Sequence, residues 1–153
     1  MVHWGARVLA TMAVLAALTG AAFRLASLRH ERREQRQTLA DARAAVGRGD
    51  GRAAAVLLDL RLQRHPEDGE ARFLRAAIAQ QAGDYNGART GYLQVLQREP
   101  RNAEARGRLF DLTFGAGARQ EAEHHLQKLE EILGSEAPQV KSRRALLEGR
   151  AGR

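Results

Sequence analysis

Residues 69–102 read GEARFLRAAIAQQAGDYNGARTGYLQVLQREPRN, and this stretch decides the fold. Two segments rich in helix-forming residues flank Gly83 and Asp84. Glycine permits the left-handed backbone that ends a helix, and an Asp directly after it can accept the unpaired N–H groups of the next one. Pro100 stops the second segment, and Asn102 is placed to cap whatever follows. Tyr92, Val95 and Leu96 recur at helical spacing and are expected to face a core. Ala76 and Ala88 are small where two antiparallel helices would have to approach closely.

The pattern recurs. A shift of 34 residues superposes Ala42 on Ala76, Ala45 on Ala79, Gly49 on Gly83 and Asp50 on Asp84. It also matches Ala54 with Ala88, Leu62 with Leu96 and Pro66 with Pro100, and a second shift brings in Gly117, Ala122, Leu126 and Leu129. Three units follow, 35–68, 69–102 and 103–136, each a pair of antiparallel helices. In the first unit Val56, Leu57 and Leu60 are expected to face the core, and Asp68 to cap the helix after it. One such pair cannot bury its apolar side alone, so about three must stack and be closed by a polar-faced end. A capping helix is expected at 137–148, with Val140, Ala145, Leu146 and Leu147 toward the third unit. A disordered tail is expected at 149–153.

Ala76, Gly83, Tyr85, Ala88, Tyr92 and Pro100 fall where the tetratricopeptide repeat wants small, turn, aromatic and helix-ending residues. The chain resembles that family over about 35–134. The third unit departs from the pattern, with Phe110 where Ala is usual, Ala118 in place of the Asp and Gly134 in place of the Pro. The resemblance implies a three-repeat α-solenoid with a C-terminal capping helix; the whole chain is expected to be all-α, with an N-terminal transmembrane helix, read from its apolar run below, ahead of the solenoid. The resemblance also implies a concave groove, lined by the first helix of each unit, that receives a peptide or helix of a partner protein. Carried onto this chain, the groove comprises Arg36, Leu39, Arg43 and Val46 in the first unit. The second unit adds Glu70, Phe73, Ala77, Gln80 and Gln81, and the third Glu104, Asp111 and Phe114. Some members clamp a terminal carboxylate with Lys and Asn on these helices; here no Lys or Asn occupies a first helix.

The N-terminal side of the repeats reads as an anchor. Residues 8–23, VLATMAVLAALTGAAF, form an uncharged run bounded by Arg7 and Arg24. At 1.5 Å per residue the run covers about 24 Å, a little short of a hydrocarbon core of about 30 Å. Snorkelling of Arg7 and Arg24, with Trp4 at the interface, would cover the deficit. The expectation is therefore a single-pass anchor at 1–28 and a basic juxtamembrane helix at 29–36. Arg24, Arg29, Arg32, Arg33 and Arg36 would lie at the membrane surface. A cleaved signal peptide is the competing reading. The excess of Arg on the C-terminal flank places the repeats on the cytoplasmic side of an inner membrane, with a periplasmic-facing domain as the alternative.

Charge and composition exclude several functions. The formal net charge of +7 divides unevenly. Residues 1–36 carry six Arg against two Glu, 37–134 are balanced, and 135–153 carry five basic against two acidic side chains. The repeats thus present no basic stripe with interleaved aromatics, and no specific nucleic-acid partner is expected. The absence of Cys excludes disulfides, Cys-ligated zinc and a thiol nucleophile. His124 and His125, adjacent and about 100° apart on a helix, cannot chelate together and are expected to be exposed. Residues 47–51, GRGDG, follow no strand and read as an inter-helix turn rather than a phosphate loop. No enzyme, metal, cofactor or small-molecule substrate is expected. The expected function is a membrane-anchored adaptor that binds a partner protein, in envelope assembly, secretion or cofactor maturation. The alternative is a small integral subunit that stabilises a larger membrane complex.

Overall fold

The computed structural model describes residues 21, 23–26, 29 and 37–151. The chain divides into two units, Met1–Ala40 and Asp41–Arg153. In the first, the described residues 21, 23–26, 29 and 37–40 are helical. Phe23, Arg24, Leu25 and Arg29 are exposed and Leu39 is buried.

The expectation of a transmembrane anchor is corrected here. Among the described residues no helix is long and apolar enough to cross a membrane. The uncharged run of 8–23 is itself shorter than the roughly 20 residues a span requires, and most of it, with residues 1–20, lies outside the described residues. The correction extends to everything built on the anchor. Neither the membrane-anchored adaptor nor the integral subunit is supported, nor a membrane partner, nor an inner-membrane location in either orientation. Of the five arginines assigned to a membrane surface, Arg32, Arg33 and Arg36 lie outside the described residues.

The second unit is all helix. Its elements are α1 (41–47), α2 (Gly51–Arg64), α3 (Gly69–Gln81), α4 (Tyr85–Arg98), α5 (Ala103–Gly115), α6 (Arg119–Leu133) and α7 (Pro138–Ala151). Short turns join the helices into the pairs α1/α2, α3/α4 and α5/α6; α3 packs on α2 and α4, α5 on α4 and α6, and α7 on α6. The turns inside the pairs are one device used three times. Gly49, Gly83 and Gly117 hold φ of 79°, 81° and 79°. The next residue's N–H then reaches back five positions: Asp50 to the Ala45 carbonyl, Asp84 to Ala79 and Ala118 to Thr113, each at 2.9 Å. These bonds satisfy carbonyls that the helix end leaves orphaned.

Capping follows the sequence closely. An oxygen of Asp50 accepts from the Ala53 N–H at 2.9 Å, Asp68 from Ala71 at 2.9 Å, Asp84 from Gly87 at 2.8 Å and Asn102 from Ala105 at 3.0 Å. At the same place before α6 stands Ala118, with no side-chain bond to give.

Among the described residues, two core clusters can be traced in α3 to α7, and Ala54, Leu58, Ala71 and Ile78 are buried besides. The first joins Ala76, Ala79, Ala88, Tyr92, Val95, Leu96, Ala105 and Leu109. The second joins Phe110, Ala122, Leu126, Leu129, Val140 and Leu147. Ala76 and Ala88 are small for the expected reason, and Gly91 makes the point sharper. A Cβ on Gly91 would sit 2.7 Å from the Cβ of Ala76.

Burial departs from expectation in three places. On α2 the buried residues are Ala54, Leu58 and Arg61, whereas Val56 and Leu60 are exposed. The 34-residue shift of Tyr92 and Val95 lands on Leu58 and Arg61, and the arginine there hides the true register of the apolar face. On α7, Val140 and Leu147 are buried but Ala145 and Leu146 are exposed. Residues seven apart share a helix face, while Leu146 is rotated from Leu147 by about 100°. His125 is only 4% exposed, against the expectation for both histidines, whereas His124 is exposed. The second helix of the third unit must bury the face that carries Ala122, Leu126 and Leu129, and His125 borders that face.

Candidate partner-binding groove

The groove residues inferred from the sequence fall mainly on the first helices of the three pairs. Arg43 and Val46 lie on α1; Glu70, Phe73, Ala77, Gln80 and Gln81 on α3; Glu104, Asp111 and Phe114 on α5. Arg36 lies outside the described residues, and Leu39 belongs to the first unit. Arg43, Glu70, Gln81, Glu104 and Asp111 are exposed, and Val46, Phe73, Ala77, Gln80 and Phe114 are half-buried.

The structure brings these residues together in groups. Arg43 of α1 forms an ion pair with Glu70 of α3. Phe73 packs on Tyr92 with ring centroids 5.3 Å apart and planes tilted by 51°. The Tyr92 hydroxyl donates to Gln80 Oε1 at 2.9 Å, so one buried tyrosine positions two residues of α3. Its pKa is raised, first by burial; Arg108 works against that, and Glu104 and Asp111 add to it. Those three side chains of α5 therefore bear on the tyrosine that supports α3. Phe114 stacks on Phe110 with centroids 5.6 Å apart and planes within 8°.

Asp111 is less available than its position suggests. Arg143 of α7 holds it with two bonds, Nε to Oδ1 at 3.0 Å and Nη2 to Oδ2 at 2.8 Å. The same guanidinium lies 5.7 Å from the centre of the Phe110 ring. Gly107 makes room for it, because a Cβ there would come within 3.0 Å of Arg143 Nη2. Arg143 and Gly107 were not expected in this role. A glycine inside a helix was the available signal, because it costs helix stability unless something packs closely against it. Together with Glu104, Arg108, Asp111 and Leu133 they line a cleft of about 470 Å³. Two clefts of similar size, about 540 and 510 Å³, share Arg75, Ala79 and Asp84 in their walls.

The buried histidine is part of another group. His125 Nδ1 lies 3.5 Å from Arg106 Nη1, and its Nε2 lies 3.8 Å from Glu121 Oε1. Glu121 in turn accepts from Arg89 at 2.5 Å. Burial, and next the Arg106 charge, push the His125 pKa down to about 4; Glu121 opposes them. Among the described residues no group of three or more His, Asp or Glu side chains could hold a metal ion.

A family model of the tetratricopeptide repeat matches residues 79–147. No curated protein matches the chain by sequence. Among solved structures, the TPR domain of Sgt2 from Aspergillus fumigatus superposes with a TM-score of 0.68 at 19% identity, covering 78% of this chain and 80% of that one. TTC0263, a thermophilic TPR protein of Thermus thermophilus, superposes with a TM-score of 0.63 at 20% identity, covering 76% of this chain and 66% of its own. At these identities the likeness is one of fold.

Proposed function

We propose that residues 41–153 serve as a protein-interaction scaffold. A peptide or helical segment of a partner protein lies along the concave face formed by α1, α3 and α5. The observation that carries this reading is the support behind the two aromatic rings of that face. Phe73 is backed by Tyr92 and Phe114 by Phe110, so both offer apolar area whose side-chain freedom is already spent. Between and beside them Gln80, Gln81 and Glu104 can fix the register of a bound segment, and Arg43 with Glu70 marks one end by charge. Aromatic anchors of this kind usually carry most of the binding energy of a small interface.

The test uses the full-length chain and a displayed library of random peptides. Selected peptides are expected to perturb the backbone amide resonances of α3 and α5. The double substitution Phe73→Ala, Arg43→Glu is expected to weaken them at least tenfold with helicity unchanged. Binding that is indifferent to both substitutions, or a footprint confined to α2 and α4, would remove the site from this face.

A further inference from the structure

Between α1 and α3 lies a small cavity of about 100 Å³, lined by Ala42, Arg43, Val46, Leu58, Leu74 and Ile78. Five of the six are aliphatic. Leu58, fully buried, belongs to α2, so all of the first helix pair and α3 contribute. The single polar residue, Arg43, is paired with Glu70, and both side chains are about half exposed, at 57% and 50%. The ion pair therefore sits at the mouth and the hydrocarbon at the base. The volume matches one branched aliphatic side chain and is too small for an aromatic ring; an apolar cavity of about 150 Å³ is the size that admits benzene.

Building on the groove reading, we propose that this cavity is its specificity pocket. It takes one Leu, Ile or Val side chain of the partner segment. The flanking residues of that segment carry opposite charges, an acid toward Arg43 and a base toward Glu70. The charge pattern follows from what displacement requires. An exposed ion pair is weak and readily exchanged, and a ligand that brings both signs leaves neither Arg43 nor Glu70 unpaired. Burial of the aliphatic side chain against Leu58, Leu74 and Ile78 is the larger gain. A wholly acidic segment would satisfy Arg43 only, and an uncharged one neither side of the mouth.

Peptides selected from a random library on the full-length chain test this. Those that footprint on α3 are expected to share one aliphatic position flanked by opposite charges. Changing that position to Asn should weaken binding at least tenfold, and Val46→Phe, whose ring would take the cavity together with the space vacated by the valine, should do the same. Should Val46→Phe unfold the domain, Arg43→Glu gives an independent readout. It should lose the selected peptide and regain binding when the peptide's acid is changed to Lys. Peptides that footprint on α3 and α5 yet tolerate Asn, Val46→Phe and the charge reversal would overturn the pocket and leave the groove reading intact. Failure to select any groove-binding peptide would overturn both. Concentration-dependent methyl shifts of Leu74 and Ile78 in the chain alone would assign the cavity to a second copy and overturn it as well.

Discussion

Arg61 of α2 is 7% exposed and donates through Nε to Asp68 Oδ2 at 2.6 Å, while the other carboxylate oxygen of Asp68 caps α3. In the next two units the position of Arg61 is held by Val95 and Leu129, both 1% exposed, and that of Asp68 in the second unit by Asn102. The first unit thus buries an ion pair where its neighbours bury an aliphatic side chain beside a neutral or absent cap.

That substitution pattern predicts a non-additive double mutant. Asp68→Asn keeps a capping oxygen, as Asn102 demonstrates, but removes the carboxylate charge from the Arg61–Asp68 ion pair, which should cost about 3 kcal/mol. Adding Arg61→Val should return stability to the wild-type value or above it, because an apolar replacement of a buried pair is often neutral or favourable. Urea denaturation of the two single variants and the double variant reads the cycle directly. A double variant as unstable as Asp68→Asn alone would show that the pair contributes something the repeat pattern does not supply.

His125 predicts acid sensitivity. Its folded-state pKa, about 4, lies below the ordinary value of 6.5. The folded protein therefore binds fewer protons than the unfolded chain between these values. The contribution is fully present above pH 6.5 and is lost as pH falls toward 4, at most about 3 kcal/mol in all. The groups facing the imidazole are Arg106 on α5, Glu121 and His124 on α6 and Arg89 on α4. Carboxylates titrate in the lower part of this window, so the readout is the difference between wild type and His125→Leu. The variant should lose less stability between pH 7 and pH 5; parallel curves would mean that His125 protonates without cost.

At Gly91 propensity and packing oppose each other. Replacing a helical glycine by alanine ordinarily gains about 1 kcal/mol. Here the new methyl would meet the Cβ of Ala76 at 2.7 Å and push α3 from α4. Overpacking costs of about 1–3 kcal/mol should win, so Gly91→Ala is expected to lower the melting temperature, and Ala76→Arg to unfold the second pair. A raised melting temperature in Gly91→Ala would show that the two helices can separate freely.

Ala118 offers the reverse case. Its backbone, φ −78° and ψ 70°, nearly repeats that of the capping Asp84, at −80° and 76°. An Asp at 118 should accept the N–H of Glu121 as Asp84 accepts that of Gly87, adding about 1 kcal/mol. Calorimetry should show a rise in melting temperature; no change would place the start of α6 out of reach of the new carboxylate.

These cases separate two kinds of information. Gly49, Gly83 and Gly117, the caps Asp50, Asp68, Asp84 and Asn102, and the buried Tyr92, Val95 and Leu96 were all legible in one dimension. Their roles depend on backbone angles and on neighbours within a few residues. The residues proposed for the groove, Arg36 and Leu39 apart, could be placed on α1, α3 and α5 from the repeat, but their contacts could not. Nothing local ties Asp111 to an arginine 32 residues away, or Gln80 to the hydroxyl of Tyr92. The anchor was inferred from an uncharged apolar run with Arg7, Arg24 and Trp4 at its flanks, and the described residues hold no helix of the required length and hydrophobicity.

The sequence by itself determined where helices begin, turn and end, because capping and left-handed glycine are settled by short-range hydrogen bonds. It determined as well that the helices pair every 34 residues. Tertiary structure alone decided which side of α2 is inside, why an arginine and a histidine are buried, and how Arg143 comes to hold Asp111. Burial belongs to the face a neighbouring helix covers, and a rotation of one residue, about 100°, is enough to exchange Leu147 for Leu146, and of two to exchange Leu58 for Val56.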